Sequence, residues 1–292
     1  MNRFKDLEQL LKDIYTNTFF DGHCWYVGGY VRDSIIGNQP KDMDIVVDIP
    51  NGSKLFAYYL VDVLSQCDDN HVTTPNRLGQ YPIWQIVLKS DKIQYNNKTY
   101  YIESGETLEI AETMSESFPD EFSRQRTVEY ASIKQDVLRR DFSCNSLLKD
   151  VISGEIIDYV NGVNDINNQI IKCNPGVDFH SILRQDPLRI LRMIIFSVRY
   201  NWAIDPITMQ AAIDNAERIK IVSVERIINE LKKISHVKQG MYKAIKLMDQ
   251  LNLLQYVFPD IYHLKSIVQA PDVRNIHLEG SESVSYTHLR AH

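Results

Sequence analysis

The sequence predicts an α/β head built on a small mixed sheet, followed by an all-helical neck and body. Up to about residue 172, short apolar runs alternate with helical patterns. From about residue 178 onward, apolar residues recur every three or four positions and strand patterns vanish. We therefore expect a head over residues 1–175 and a helical region over residues 176–265. Residues 266–292 are expected to begin a third domain.

The elements of the head follow from hydrophobic periodicity and from turn residues. Apolar residues at helical spacing predict helices over residues 4–15, after the Gly28-Gly29 pair, and from Ser53 onward. The polar residues 104–135 show no clear period, and we expect them to form a long mobile loop. Short apolar runs bounded by turn residues predict strands over residues 24–27, 42–49, 83–89, 99–103, 143–149 and 155–159.

Composition and charge limit the functional classes. No apolar stretch approaches the ~20 residues that cross a bilayer, and the N-terminus has no cleavable apolar leader, so we expect a cytoplasmic protein without a membrane partner. The four cysteines form no C-x-x-C pair, which predicts reduced thiols. The net charge is −6, yet residues 180–246 contain twelve Lys and Arg against six Asp and Glu. A basic helical region after an acidic head suits an enzyme that binds metal and phosphate, although solvated helix faces would give the same charges.

A glycine pair and an aspartate pair carry the strongest chemical signal. Gly28 and Gly29 stand between a predicted strand and a predicted helix, where the backbone can approach a phosphate closely. Asp42 and Asp44 alternate on the next strand, so we expect their carboxylates on one face. Neighbouring carboxylates repel unless cations lie between them, and two divalent metal ions are the usual clamp for phosphoryl transfer. Taken separately, the glycines could be an ordinary tight turn and the aspartates a solvated strand edge.

The motifs G-G-x-V-R-D at residues 28–33 and D-x-D at residues 42–44 resemble the signature of the nucleotidyltransferase superfamily. The form is that of bacterial tRNA CCA-adding enzymes and poly(A) polymerases. Further segments resemble motifs of this family in the same order, namely R-R-D-F-x-x-N at 139–145, D-x-x-x-G-x-x-D at 158–165, Q-D-x-x-R at 185–189 and S-x-E-R-I-x-x-E-L at 223–231. The resemblance implies an enzyme that adds C and A, from CTP and ATP, to the 3′ end of tRNA.

The resemblance also implies roles for individual residues of the head. The matching positions are expected to bind metal (Asp42, Asp44), the triphosphate (Gly28, Gly29, Arg32) and the ribose (Arg140, Asp141, Asn145). Asp141 is also expected to act as a further catalytic carboxylate. The implied cofactor is a pair of Mg²⁺ ions. A residue that recognises the 2′-hydroxyl is required chemically, because this group distinguishes an NTP from a dNTP.

A second set of residues, in the helical region, is expected to read the base. Asp186 and Arg189 lie three residues apart, so on a helix they would share one face and could pair with the Watson–Crick edge of C or A. Arg192 would extend that face. The alternative is an intrahelical salt bridge between Asp186 and Arg189. Glu225 and Arg226 match the neck element of the family.

The chain departs from the family pattern at three places. Gln185 replaces the usual Glu before Asp186. The family's R-x-E-x-Y reads M-S-E-S-F from Met114, so an arginine contact is either lost or supplied by Arg124 or Arg126. Residues 269–280 resemble the opening of an HD phosphohydrolase domain, with His277 as its first metal ligand, but the chain contains no His-Asp dipeptide. We therefore expect the native sequence to stop near Gly280, before a non-native tail, and no HD activity.

Several functional readings stay open on the sequence alone. A poly(A) polymerase shares every motif of the head, although the neck element favours a CCA-adding enzyme. A partial enzyme that adds only CC or only A fits equally well. Readings of another class are a truncated nucleotide- or RNA-binding module without activity, and a nucleotidyltransferase that modifies a small molecule or a protein.

Overall fold

The computed structural model describes residues 3–67, 71–79, 81–117 and 127–265. The chain divides into two units, of which the first comprises residues 1–168 and 172–177 and the second residues 169–171 and 178–292. The elements of the first unit are α1 (Lys5–Tyr15), β1 (Cys24–Val27), α2 (Gly29–Ile35), β2 (Met43–Val47), α3 (Gly52–Ser65), β3 (Asn76–Arg77), β4 (Ile83–Val87), β5 (Lys92–Tyr95), β6 (Lys98–Tyr101), β7 (Thr107–Glu112), β8 (Met114–Ser117), β9 (Thr127–Tyr130), α4 (Ile133–Leu138), a 3₁₀ turn (Ser143–Asn145), β10 (Leu148–Asp150), β11 (Ile156–Ile157) and α5 (Gly162–Asn167).

A mixed sheet in the order β11-β10-β1-β2-β7-β4-β3 forms the centre of the first unit. β2 and β7 run parallel, and the other neighbours are antiparallel. On one face, Ile45 and Ile110 are paired and buried, and α3 packs there through the Tyr58 ring, 5.5 Å from that of Trp84. The opposite face carries Asp44 and Val46, because side chains alternate along a strand. This second face is the one on which the candidate site lies.

The expected loop over residues 104–135 is wrong for its described part. Residues 107–112 form β7 at the centre of the sheet, and residues 118–126 lie outside the described residues. Leu108 and Ile110 are fully buried and alternate with polar neighbours, which is the pattern of a strand with one buried face. High average polarity concealed this alternation. The expected strand over residues 143–149 is wrong in its first half, because residues 143–145 form a 3₁₀ turn.

A β-hairpin that the sequence did not predict joins β5 to β6. Its turn is Asn96-Asn97, and both residues have positive φ angles, 47° and 60°. Asn tolerates this left-handed region better than other non-glycine residues, which suits a two-residue hairpin. β6 overlaps the expected strand over residues 99–103, but β5 was not expected.

The described residues of the second unit, up to residue 265, are helical apart from one short strand pair. Its elements are β12 (Ile170–Ile171), α6 (Phe179–Gln185), α7 (Leu188–Tyr200), β13 (Ala203–Ile204), α8 (Pro206–Asp214), a 3₁₀ segment (Ala216–Ile221), α9 (Val224–Lys232), α10 (Gly240–Gln250), α11 (Leu254–Val257) and α12 (Pro259–Leu264). α7 lies at the centre and packs against α6, α9 and α10. The parallel pair β12–β13 is the exception to the predicted all-helical region. Within the described part of the chain, every helix is too short or too polar to span a bilayer.

Candidate active site

The glycine turn after β1 faces both a carboxylate and a guanidinium. Gly28 has φ 63° and ψ −130°, a conformation that side chains strongly disfavour, and α2 begins at the next residue. A Cβ atom built on Gly28 would lie 3.9 Å from Asp44 Oδ2 and 4.0 Å from Arg140 Nη1. The turn, the carboxylate and the guanidinium therefore border the same space.

Asp44 stands in a row of carboxylates on the open face of the sheet. It is paired in parallel register with Glu109 of β7, and Asp42 immediately precedes β2 and is exposed. Burial is the main cause that raises the pKa of Asp44 to about 6, and the charges of Glu109 and Asp42 contribute to that rise, against the lowering effect of Arg140. Glu109 is a site residue that the sequence interpretation missed. Its signal was the alternation L-E-I within a segment assigned to a loop.

The chemistry of this carboxylate row suits a divalent cation. Among the described residues, no group of three or more His, Cys, Asp and Glu is arranged as a ready metal site. Burial raises the pKa of Asp44 most, and the neighbouring charges of Glu109 and Asp42 raise it as well. Carboxylate oxygens are the donors that Mg²⁺ prefers. Asp42, Asp44 and Glu109 therefore supply the type of donor that Mg²⁺ prefers, without forming a ready metal site.

A buried polar network connects α2 to the 3₁₀ turn. Arg32 donates from Nε to Asp33 Oδ1 at 2.9 Å and from Nη1 to Asn145 Oδ1. Asn145 in turn donates to Asp141 Oδ1 at 3.1 Å, and all four side chains are buried. A Cβ on Gly29 would lie 3.4 Å from Arg32 Nη2, which places this arginine against the glycine turn. The structure therefore brings the expected triphosphate and ribose residues of the head into one connected site.

The glutamate of the M-S-E-S-F segment, Glu116, pairs with an arginine from another segment. Glu116 is paired with Arg139, whose Nη1 lies 3.0 Å from Glu116 Oε1. Arg124 and Arg126, the candidates from the sequence, lie outside the described residues. Arg139 immediately precedes Arg140, so this ion pair connects β8 to the segment of the site that contains Arg140.

The expected helical face for base reading is wrong at Asp186. This residue lies between α6 and α7 with φ −139° and ψ 90°, because a residue before proline is excluded from the helical region, and Pro187 follows it. Its carboxylate accepts hydrogen bonds from Arg226 Nη2 at 3.1 and 3.0 Å. Arg189 lies in the first turn of α7, and its N–H donates to the Asp186 carbonyl at 3.1 Å.

The neck element meets the expected base-reading residues within the second unit. Besides the Arg226–Asp186 pair, Arg192 Nη1 lies 3.9 Å from Glu230 Oε1. Glu225 lies in the first turn of α9, where hydrogen bonds from its own backbone N–H and from the Ser223 side chain lower its pKa. Glu225 therefore helps to cap α9. His277 lies outside the described residues.

Comparison with known families decides the affiliation of the chain. Residues 24–172 match the model of the poly A polymerase head domain, and residues 201–264 match that of a probable RNA and SrmB-binding site of polymerase A. The chain belongs to the poly(A) polymerase head-domain family. This family includes CCA-adding enzymes, so the affiliation and the fold class predicted from the sequence are confirmed.

Similar members of the poly(A) polymerase head-domain family are CCA-adding enzymes by name. The CCA-adding enzyme of Enterococcus faecalis is 30% identical over 237 residues, which cover 80% of this chain and 49% of that protein. The mitochondrial CCA tRNA nucleotidyltransferase of Saccharomyces cerevisiae is 26% identical over 274 residues. These residues cover 90% of this chain and 48% of that protein. The chain thus spans about half the length of the curated relatives it matches. Since one relative is mitochondrial, membership of this family is compatible with more than one compartment.

Solved structures of CCA-adding enzymes share the fold of the chain. An apo form of one enzyme superposes with a TM-score of 0.68 at 24% identity, covering 91% of this chain and 55% of that chain. The Thermotoga maritima enzyme in complex with tRNA_CCA superposes with a TM-score of 0.66 at 24% identity. The superposition covers 93% of this chain and 57% of that chain. At 24% sequence identity, these superpositions show a shared fold and do not extend to a shared activity.

Proposed function

We propose that the chain is a template-independent RNA nucleotidyltransferase that adds C and A, from CTP and ATP, to the 3′ end of tRNA. The observation that carries the proposal is the carboxylate row of Asp42, Asp44 and Glu109, which borders a glycine turn together with the Arg140 guanidinium. Affiliation with the poly(A) polymerase head family, and relatives named as CCA-adding enzymes, support the same reading.

Asp42, Asp44 and Glu109 would hold Mg²⁺ in this proposal. When bound, the two ions would neutralise the triphosphate and lower the pKa of the attacking RNA 3′-hydroxyl. The protein contributes the fixed spacing of the carboxylates, since Asp44 and Glu109 are locked in register on adjacent strands. We add Glu109 to the set of metal ligands on this geometric ground.

The remaining residues of the head orient the nucleotide. The Gly28 turn lets the phosphates approach the backbone, and Arg140 Nη1 faces the same space, so we assign Arg140 to the phosphates and no longer to the ribose, where the resemblance had placed it. Arg32 Nη1 donates to Asn145 Oδ1, and Asn145 Nδ2 donates to Asp141 Oδ1. Asp141 and Asn145 are thereby positioned to accept from and donate to the ribose hydroxyls, which selects an NTP over a dNTP. Gly29 and Arg32 complete the triphosphate side of the site.

Base selection is assigned to the second unit. Asp186 offers acceptor oxygens, and Arg189 and Arg192 offer guanidinium donors. Cytosine and adenine each present an exocyclic amine donor next to a ring-nitrogen acceptor, so a carboxylate and a guanidinium together match both edges. Arg226 holds the Asp186 carboxylate in one orientation. We propose that residues 176–265 read the base and bind RNA, and that residues 1–175 carry the chemistry.

Extension of defined tRNA transcripts tests the proposal. Transcripts ending in the discriminator base, in -C or in -CC are incubated with Mg²⁺ and labelled CTP or ATP. Addition of C, C and A that then stops, and that is abolished in Asp42→Ala/Asp44→Ala, supports the CCA reading. Asp62→Ala is the matched control, because Asp62 is exposed on α3. Unlimited A addition would replace the CCA reading by a poly(A) polymerase, and addition of only CC or only A by a partial enzyme.

A further inference from the structure

The most deeply buried carboxylate in the neighbourhood of the site is Asp136, to which the sequence interpretation gave no role. It is 0% exposed and lies in α4. Its Oδ2 accepts from Arg140 Nη2 at 2.7 Å and from Arg140 Nε at 3.2 Å. Its Oδ1 accepts from Arg139 Nη2 at 2.6 Å and from Arg139 Nε at 3.1 Å. One carboxylate thus binds two consecutive arginines, one through each oxygen.

The position of Asp136 is fixed by packing. Its neighbour Val137 is fully buried in a core cluster with Trp25, Val46 and Leu148, on the same sheet face as Asp44. A capping box between Ser132 and Gln135 fixes the start of the helix. Because α4 can neither rotate nor slide without breaking this cluster, the Asp136 carboxylate has one orientation.

The side-on contact leaves one nitrogen of Arg140 directed at the site. Nε and Nη2 both face Asp136, whereas Nη1 lies 4.0 Å from a Cβ built on Gly28. Asp44 Oδ2 lies 3.9 Å from the same point. A guanidinium is planar and rigid, so fixing its Nε–Nη2 edge also fixes the direction of Nη1. The Arg140 side chain is only 18% exposed, which leaves it little room for other rotamers.

We infer that Asp136 is a positioning residue, which holds the Arg140 guanidinium with Nη1 directed at the triphosphate of the incoming nucleotide. The inference deepens the proposed function and rests on it. The arginines lower the pKa of Asp136 despite its burial, which would by itself raise it, so this carboxylate is charged at neutral pH. A charged, buried acceptor holds a guanidinium more strongly than a neutral one.

The other carboxylate oxygen of Asp136, Oδ1, binds Arg139 and not Arg140, so a variant of Arg139 can serve as a control. Oδ1 accepts from the Met114 backbone N–H at 3.3 Å as well as from Arg139. Arg139 Nε donates to the Met114 carbonyl at 2.8 Å, and Nη1 pairs with Glu116. The Arg139 side chain therefore stabilises β8, whereas the Arg140 side chain is directed at the site. Replacing either arginine separates the two tasks.

A double-mutant cycle on the full chain tests the inference. Asp136→Asn, Arg140→Met and the double variant are compared by calorimetric titration with ATP and Mg²⁺, and by KM and kcat in tRNA extension. We expect each single variant to raise the Kd and KM for ATP about 10- to 100-fold, which is the range for a lost charge-assisted contact. The double variant should be no worse than Arg140→Met, because Asp136 acts through Arg140. Arg139→Met should lower thermal stability and change the Kd for ATP less than about twofold.

The possible results separate the inference from the proposed function. A wild-type chain that neither binds ATP nor extends RNA overturns the proposed function, and the positioning role with it. Wild-type activity combined with an unchanged Kd in Asp136→Asn, or with additive effects in the double variant, overturns the positioning role alone. If Asp136→Asn fails to fold, Arg140→Lys decides the question. Its ammonium can pair with Asp136 but cannot also reach the site, so a wild-type Kd for ATP in that variant refutes the inference.

Discussion

Replacing Asp44 by Asn should make the metal-free protein more stable, increasingly so as the pH rises. The pKa of Asp44 is raised from 3.8 to about 6 in the folded chain, so its charged form is disfavoured by folding. Below pH 4 the carboxyl is protonated in both the folded and the unfolded state, and no cost arises. As the pH rises through the window from about 4 to 6, the unfolded state loses its proton first, and the free energy of unfolding falls.

The size of this effect follows from the pKa shift. A shift from 3.8 to about 6 corresponds to about 3 kcal/mol once the pH exceeds both values. About 2 kcal/mol of this develops between pH 4.5 and pH 7.5, by the same linkage relation. The difference between Asp44→Asn and wild type isolates the contribution of Asp44 together with its coupling to Glu109 and Asp42, because distant titrating groups contribute equally to both proteins.

Urea unfolding in EDTA at several pH values measures this difference. We expect the free energy of unfolding of Asp44→Asn, minus that of wild type, to increase by about 2 kcal/mol across the range. Asp62→Asn, on the exposed face of α3, should show no such trend. Millimolar Mg²⁺ should stabilise wild type and not Asp44→Asn, because a ligand stabilises the state that binds it. A difference that does not vary with pH would refute the electrostatic account of the carboxylate row.

Three further changes test other parts of the site. Glu109→Gln should lower the pKa of Asp44 and shift the acid limb of the extension pH profile to lower pH, with a large loss of kcat; an unshifted limb would contradict the coupling. Gly28→Ala should cost about 1–3 kcal/mol of stability through backbone strain and also abolish ATP binding, whereas Gly37→Ala, with positive φ and open space, should cost stability alone. Arg226→Met should reduce selection between CTP and ATP in competition assays, because Asp186, the carboxylate proposed to read the base, loses its salt bridge; unchanged selection would exclude an orienting role.

The sequence predicted those parts of the head that depend on local pattern. β1 has the predicted bounds, because the two glycines that follow the short apolar run end the strand at Val27. Glu109 was missed because its importance comes from parallel pairing with Asp44, 65 positions earlier, and local periodicity does not report such pairing. Asp186 is a different case, because Pro187 is visible in the sequence and disfavours helical backbone at the residue before it. Its partner Arg226 is 40 residues away and follows only from the packing of α7 against α9.

The charged candidate residues of the two units differ in whether the protein itself provides a counter-charge. Arg140 is held by Asp136, and Asp186 by Arg226, each within its own unit. A side chain that recognises phosphate or a base through directed hydrogen bonds gains from being oriented in advance, because less conformational entropy is lost on binding. Asp44 is the opposite case, since its nearest charges include two carboxylates and its pKa is raised. A carboxylate already satisfied by an arginine would have little affinity left for a cation, whereas repulsion between carboxylates is relieved when a cation binds. In the proposed function, the salt bridges of Arg140 and Asp186 therefore orient groups that would bind the nucleotide directly, whereas burial and neighbouring carboxylate charge leave Asp44 suited to a metal ion.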